Sequence, residues 1–136
     1  MLFHSTRGND SGKDFATILM QGLADDGGLF MPDHWPQVDL EEIKSQTSFV
    51  DVAKCIVPLF TASSFSYAET IKIVEDTWHD FEHADLVGIQ TFDDVSILEL
   101  FHGPTAAFKD FGLQLAAAFF NEVLESENKT AIVLGA

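Results

Sequence analysis

Apolar spacing divides the chain into a helical first half and a mixed second half. "LFHSTRG" near the start reads as a short strand and a loop. Across "SGKDFATILMQGLADDGGLFMP", Phe15, Ile18, Leu19, Gly22 and Leu23 share one face at helical spacing. Ser11 with Asp14 matches a capping box, and Asp25-Asp26-Gly27-Gly28 supplies a left-handed stop. Leu29, Phe30 and Met31 are then expected to return to the core before Pro32. Three more boxes follow. Asp39 with Glu42 opens a short helix. Ser48 with Asp51 opens one carrying Phe49, Val52, Ala53, Ile56 and Val57, with Pro58 near its end. Ser66 with Glu69 opens one carrying Ile71, Val74 and Trp78.

After Leu86 the period changes. "LVGIQTF" and "VSILELF" flank Asp93-Asp94 as two strands around an acidic turn. "AAFKDFGLQLAAAFFNEVLESE" predicts a long helix with Phe108, Phe111, Leu115, Ala118, Phe119 and Val123 apolar, and "NKT" closes it. "AIVLGA" predicts a strand buried on both faces. Strand, helix and strand form a right-handed βαβ unit with a parallel pair. The expected class is α/β, with a largely helical N-terminal domain over 1–95 and the start of an α/β domain over 96–136. In open α/β sheets ligands bind beyond the carboxyl ends of the strands. The chain stops where such a loop is expected.

Composition narrows the function classes. With 46% hydrophobic residues and thirteen Phe, the 136 residues should pack a real core. A net charge of −15, from 22 acids and 7 bases, opposes nucleic acid and anionic membrane as partners. An anionic ligand must therefore be held by local groups. Cys55 is the only cysteine, so no intrachain disulfide forms, and core packing is its expected role. No apolar run reaches transmembrane length and the N-terminus lacks a signal-peptide core, which sets a cytoplasmic expectation.

Lys109 is the first candidate for chemistry. It sits where the long helix begins, between Phe108 and Asp110. The positive helix end and apolar neighbours both disfavour an ammonium, and a free amine suits Schiff-base chemistry. The competing reading is a surface lysine lying along apolar neighbours. In His102-Gly103-Pro104-Thr105, Pro104 presets helix entry, and Thr105 either caps the helix or faces a ligand. His102 is a pocket donor or a loop histidine. Ser5-Thr6-Arg7-Gly8 is an anion-holding cluster or a turn. "HDFEH", His79 to His83, matches an H-x-x-E-H zinc pattern with two histidines on one helix face and Glu82 as base. No downstream carboxylate ligand accompanies it, so no metal is assigned.

"FHSTRG", "FATILMQGLADDGGLFMP" and "LELFHGPTAAFKDFGLQLAAAFF" together resemble the N-terminal part of the threonine synthase family, over essentially the whole chain. The H-G-P-T-x-A-F-K-D block is the most specific part. The resemblance implies a tryptophan-synthase-β-like, fold type II pyridoxal-phosphate enzyme, of which this chain is an incomplete piece. It implies conversion of O-phosphohomoserine and water to threonine and phosphate. It makes Lys109 the catalytic lysine covalently joined to pyridoxal 5′-phosphate and puts Phe108 against the cofactor ring. Thr105 and Asp110 would shape the pocket, and the segment holding Ser5 and Arg7 would approach the substrate. Substrate amine would displace Lys109, whose freed amine then removes the α-proton. A β-proton is lost, phosphate leaves the γ-carbon, and water adds at the β-carbon.

The family continues past "AIVLGA" into a T-S-G-D-T-G loop, then a glycine-rich phosphate loop and a hydroxyl residue near the pyridine nitrogen. None of these lies in the 136 residues. The expectation is a truncated, inactive piece in which 1–95 folds alone, while 96–136 needs the missing sheet or self-associates through an exposed strand edge. The alternatives are a phospho-lyase that eliminates without adding water, a non-catalytic association module, and the zinc peptidase.

Overall fold

Phe3–Ser5 (β1) is the central strand of a small antiparallel sheet in the computed structural model, which describes residues 1–134. Ser11–Lys13 (β2) lies on one side and Phe30–Pro32 (β3) on the other. The period-2 rule places Phe3 and Ser5 inward and His4 outward.

The first predicted helix is corrected at both ends. Ser11 does not cap it, because Ser11 pairs with His4 in the sheet. Asp14 is the cap: its backbone is extended and its carboxylate accepts from Thr17 N–H at 2.9 Å, opening Phe15–Gln21 (α1). The helix stops at Gly22, whose φ of 76° is left-handed and whose N–H returns to Ile18 O. Leu23 is therefore exposed. Asp25 to Gly28 form a separate turn, with Gly27 N–H donating to Ala24 O and Ala24 N–H to Gly28 O. Leu29 is also exposed rather than in the core.

The other three caps hold. Asp39 opens Leu40–Ser45 (α2), Ser48 opens Phe49–Thr61 (α3), and Ser66 opens Tyr67–Asp76 (α4) with a complete reciprocal box to Glu69. Pro58 sits inside α3 without ending it. Helices α3 and α4 pack side by side, and Lys54 bridges Asp51 and Glu75 at 3.0 and 3.2 Å on their rim. Trp78 lies beyond α4, not in it, but is buried.

Gly88–Phe92 (β4) and Val95–Glu99 (β5) form the expected antiparallel hairpin around Asp93-Asp94. Ile89, Phe92, Val95, Ile97 and Leu98 on it are all exposed. Lys109–Ser126 (α5) then packs on α1 and α4. Phe119 and Val123 are buried. Phe111 and Leu115 join the cluster of Ala53, Val74, Trp78 and Leu86, which Phe49 also flanks. Phe15 bridges the two ends of the chain, with ring contacts to Phe3, Phe65 and Phe119.

The helix of the expected βαβ unit is present, but its closing strand is not formed over residues 131–134. Ile132, Val133 and Leu134 are each 88% exposed and unpaired, because a strand needs a neighbour and β5 faces β4 in an antiparallel ladder. The last two residues of "AIVLGA" lie outside the described residues. Among the described residues no helix is long and apolar enough to cross a membrane.

Candidate active site

Lys109 is the first residue of α5, as its position in the sequence predicts. Among the described residues no apolar enclosure surrounds it. Phe108, placed in the sequence on the apolar helix face, is the N-cap residue and 62% exposed. Lys109 is exposed too, and its Nζ lies 4.5 Å from the centre of the Phe108 ring, a cation–π contact. Lys109 makes no ion pair among the described residues. An apolar cleft of about 300 Å³ between α1, α3 and α5, lined by Phe15, Leu19, Ile56, Phe60, Leu115 and Phe119, does not include Lys109.

The turn before the helix is fastened by the residue after the lysine. Asp110 is only 5% exposed, yet it carries a carboxylate, so its oxygens must find donors. Thr105 provides two: its N–H donates to Oδ2 at 2.8 Å and its hydroxyl to Oδ1 at 2.6 Å. These bonds, the hydroxyl first, hold the Asp110 carboxyl below the usual carboxylate range against the opposing effect of burial. Thr105 therefore does not cap α5, whose N-cap position makes no side-chain hydrogen bond. Pro104 lies in the turn and the helix begins only at Lys109, so Pro104 is not at the helix entry. Gly103 closes the other side: a Cβ there would collide with the Asp110 side chain. Ala106 takes a left-handed φ of 54°, and its N–H donates to Gly103 O.

His102 stands behind this turn. Its Nε2 is 2.9 Å from Glu99 Oε2, and both side chains are largely buried. Its ring packs on His83 and Phe101, and its carbonyl accepts from Glu82 N–H. His83 thereby belongs to the His102 cluster, whereas His79 points to Asp76 O and Asp80. The H-x-x-E-H reading fails on this geometry, because α4 ends at Asp76 and the two histidines share no helix face.

Ser5 and Arg7 belong to a second cluster. Ser5 is buried, and its hydroxyl donates to Asp26 Oδ1 at 2.6 Å while accepting from Arg7 N–H. Gly28 N–H and Asn9 N–H also donate to Asp26. The Ser5 hydroxyl leads the causes that hold the Asp26 carboxyl below its usual range. Arg7 donates through Nη1 to Asp26 O at 2.8 Å and is otherwise exposed. Gly28 is required there, since a Cβ would overlap Ser5 Oγ. Sequence reasoning missed both carboxylates' real partners. The D-D-G-G run was readable as a turn, but not as the floor beneath Ser-Thr-Arg-Gly.

Comparison with known proteins gives a consistent result. Residues 2–78 match the family model described as threonine synthase N terminus. The threonine synthase of Pseudomonas aeruginosa is 37% identical over 100% of this chain and 30% of its own length. Threonine synthase-like 2 of Xenopus laevis is 34% identical over 98% of this chain and 29% of its own. The crystal structure of pyridoxal-phosphate-bound threonine synthase from Brucella melitensis superposes with a TM-score of 0.87 at 37% identity, over 94% of this chain and 28% of that one. The Escherichia coli threonine synthase structure gives 0.74 at 32%, over 90% and 28%. The chain thus spans about 30% of the length of the curated relatives it matches.

Proposed function

The chain belongs to the threonine synthase family, and we propose that in the whole protein it serves the conversion of O-phosphohomoserine and water to threonine and phosphate. The observation that carries this reading is the exposed Lys109 amine at the start of α5, without an ion pair among the described residues, inside the H-G-P-T-x-A-F-K-D run. Pyridoxal 5′-phosphate needs a primary amine that can be reached and a flat apolar surface for its ring. Lys109 and the exposed Phe108 ring beside it fit both needs. When bound, the cofactor supplies an electron sink for carbanion chemistry.

The work left to this chain's residues is positional and acid–base. Lys109 would hold the cofactor, and its Nζ, when free, would be the base that takes the α-proton. Phe108 offers its ring face. Thr105 and Asp110 hold the turn that carries both. The guanidinium of Arg7, which donates Nη1 to Asp26 O, keeps further donors for an anionic substrate group, while buried Ser5 orients that loop. His102 backs the turn from the side of Glu99.

Phosphate release from O-phosphohomoserine with added cofactor tests the reading on the full-length protein. Lys109→Ala should abolish release, and retained release would overturn the assignment. The 136-residue chain alone should give none, since it lacks most of the site that the family brings to the lysine. The second reading is a phospho-lyase that eliminates without adding water. Product analysis separates them: threonine supports the synthase.

A further inference from the structure

Asp110 stands next to Lys109 in sequence, is nearly inaccessible, and accepts both Thr105 bonds within a turn that leaves no space at Gly103. A carboxylate placed this way is satisfied within its own turn. Its two oxygens reach back over the turn, whereas an ordinary N-cap reaches forward. Thr105, the left-handed Ala106 and the Asp110 backbone are therefore parts of one closed unit that spans Phe108 and Lys109: Ala106 N–H to Gly103 O, Asp110 N–H to Ala107 O, and Thr105 to both carboxylate oxygens. The N-cap residue, Phe108, makes no side-chain cap bond, and apart from this clasp the first turn of α5 is held by the Trp78 indole, which donates to Phe111 O.

We infer that Asp110 is a positioning residue for Lys109: its carboxylate, held by Thr105, sets the direction in which Lys109 and Phe108 leave the first turn of α5. This rests on Lys109 being the cofactor lysine. It deepens that reading by separating the residue that meets the cofactor from the one that aims it. Misplacing a reacting group by about 1 Å can lower a rate roughly a hundredfold, so small movements of this turn matter.

The test uses the full-length protein with pyridoxal 5′-phosphate as the probe. It compares wild type with Thr105→Val, Asp110→Asn, Asp110→Ala and Lys109→Ala. The readouts are the dissociation constant for the cofactor, its visible absorbance when bound, and the thermal midpoint. Asp110→Asn keeps the shape and can still bond Thr105 with the hydroxyl acting as acceptor. It should stay near wild type. Thr105→Val removes the hydroxyl donor at nearly constant volume; it should lower the thermal midpoint and, in the protein that remains folded, weaken cofactor binding by about tenfold or move its absorbance, whereas Asp110→Asn does neither. Asp110→Ala should do the same or fail to fold, and Thr105→Val decides the matter in that event. Unchanged cofactor affinity and absorbance in Thr105→Val would overturn the inference, leaving the proposed function intact. A Lys109→Ala protein that still holds cofactor covalently would instead overturn the reading beneath both.

Discussion

The indole N–H of Trp78 donates to the backbone carbonyl of Phe111 at 2.9 Å, tying the segment after α4 to the first turn of α5. Trp78 is 3% exposed, has a left-handed φ of 64°, and meets Phe49 edge-on at 5.1 Å. A non-glycine residue keeps such a backbone only when its surroundings over-determine it. Trp78→Phe keeps an aromatic ring but loses the donor and leaves space. We expect a loss of about 2 kcal/mol, roughly half from the hydrogen bond, measured by urea unfolding.

Thr61 and Thr70 face each other across α3 and α4, each 1% exposed, with hydroxyl oxygens 2.9 Å apart. Thr61 also lies 3.3 Å from Val57 O, so it can donate there and accept from Thr70. The two substitutions are therefore unequal. Thr61→Val strands the Thr70 hydroxyl and should cost about 1–3 kcal/mol. Thr70→Val leaves Thr61 with Val57 and should cost less. The double replacement should cost less than the sum of the two, a coupling that a double-mutant cycle of denaturation midpoints would read.

Ser5 links stability to pH through Asp26. The folded carboxyl is held below its usual value, so over the acid range the unfolded chain binds more protons than the folded one, and stability rises with pH. The contribution is complete above the unfolded carboxyl value of about 3.9 and is lost as pH falls through the lower folded value. Ser5→Ala removes the leading cause. Its penalty should be larger at neutral pH than in strong acid, and the acid limb of the stability curve should flatten. Equal penalties at both extremes in urea titrations would refute this link.

The hairpin should make the isolated chain associate. Phe92, Val95 and Ile97 share one exposed face, since the register pairs Phe92 with Val95 and Gln90 with Ile97. Both outer strand edges are unpaired among the described residues. Sedimentation over a concentration series should show self-association, weakened at least about tenfold by Phe92→Lys with Ile97→Lys. A concentration-independent monomer mass would exclude it.

What the sequence revealed was local. Asp39, Ser48 and Ser66 cap their helices because the donors they bond lie two or three residues ahead in the chain. Lys109 was readable as a helix start from the apolar spacing that follows it, although no side chain caps α5 there. Ser11 misled because a strand partner, His4, outcompeted the cap, and pairing across a sheet is invisible in a short window. The "AIVL" segment has the composition of a strand, but composition supplies no partner. In the candidate site, His102, Thr105, Phe108, Lys109 and Asp110 were legible as a run. The clasp between Thr105 and Asp110 was not, because it matches no capping pattern. The Ser5–Asp26 bond spans too much chain for any motif.

Phe15 has a bearing on how the chain is made. Its ring is covered by Phe119, in the second half of α5, as well as by Phe3 and Phe65. On a ribosome adding about 5–20 residues per second, the first helix must wait on the order of ten seconds for that partner. During that time Phe15 has only Phe3 and then Phe65 against it. The packing of the first helix is therefore completed only after α5 has been made, however early its own cap is in place.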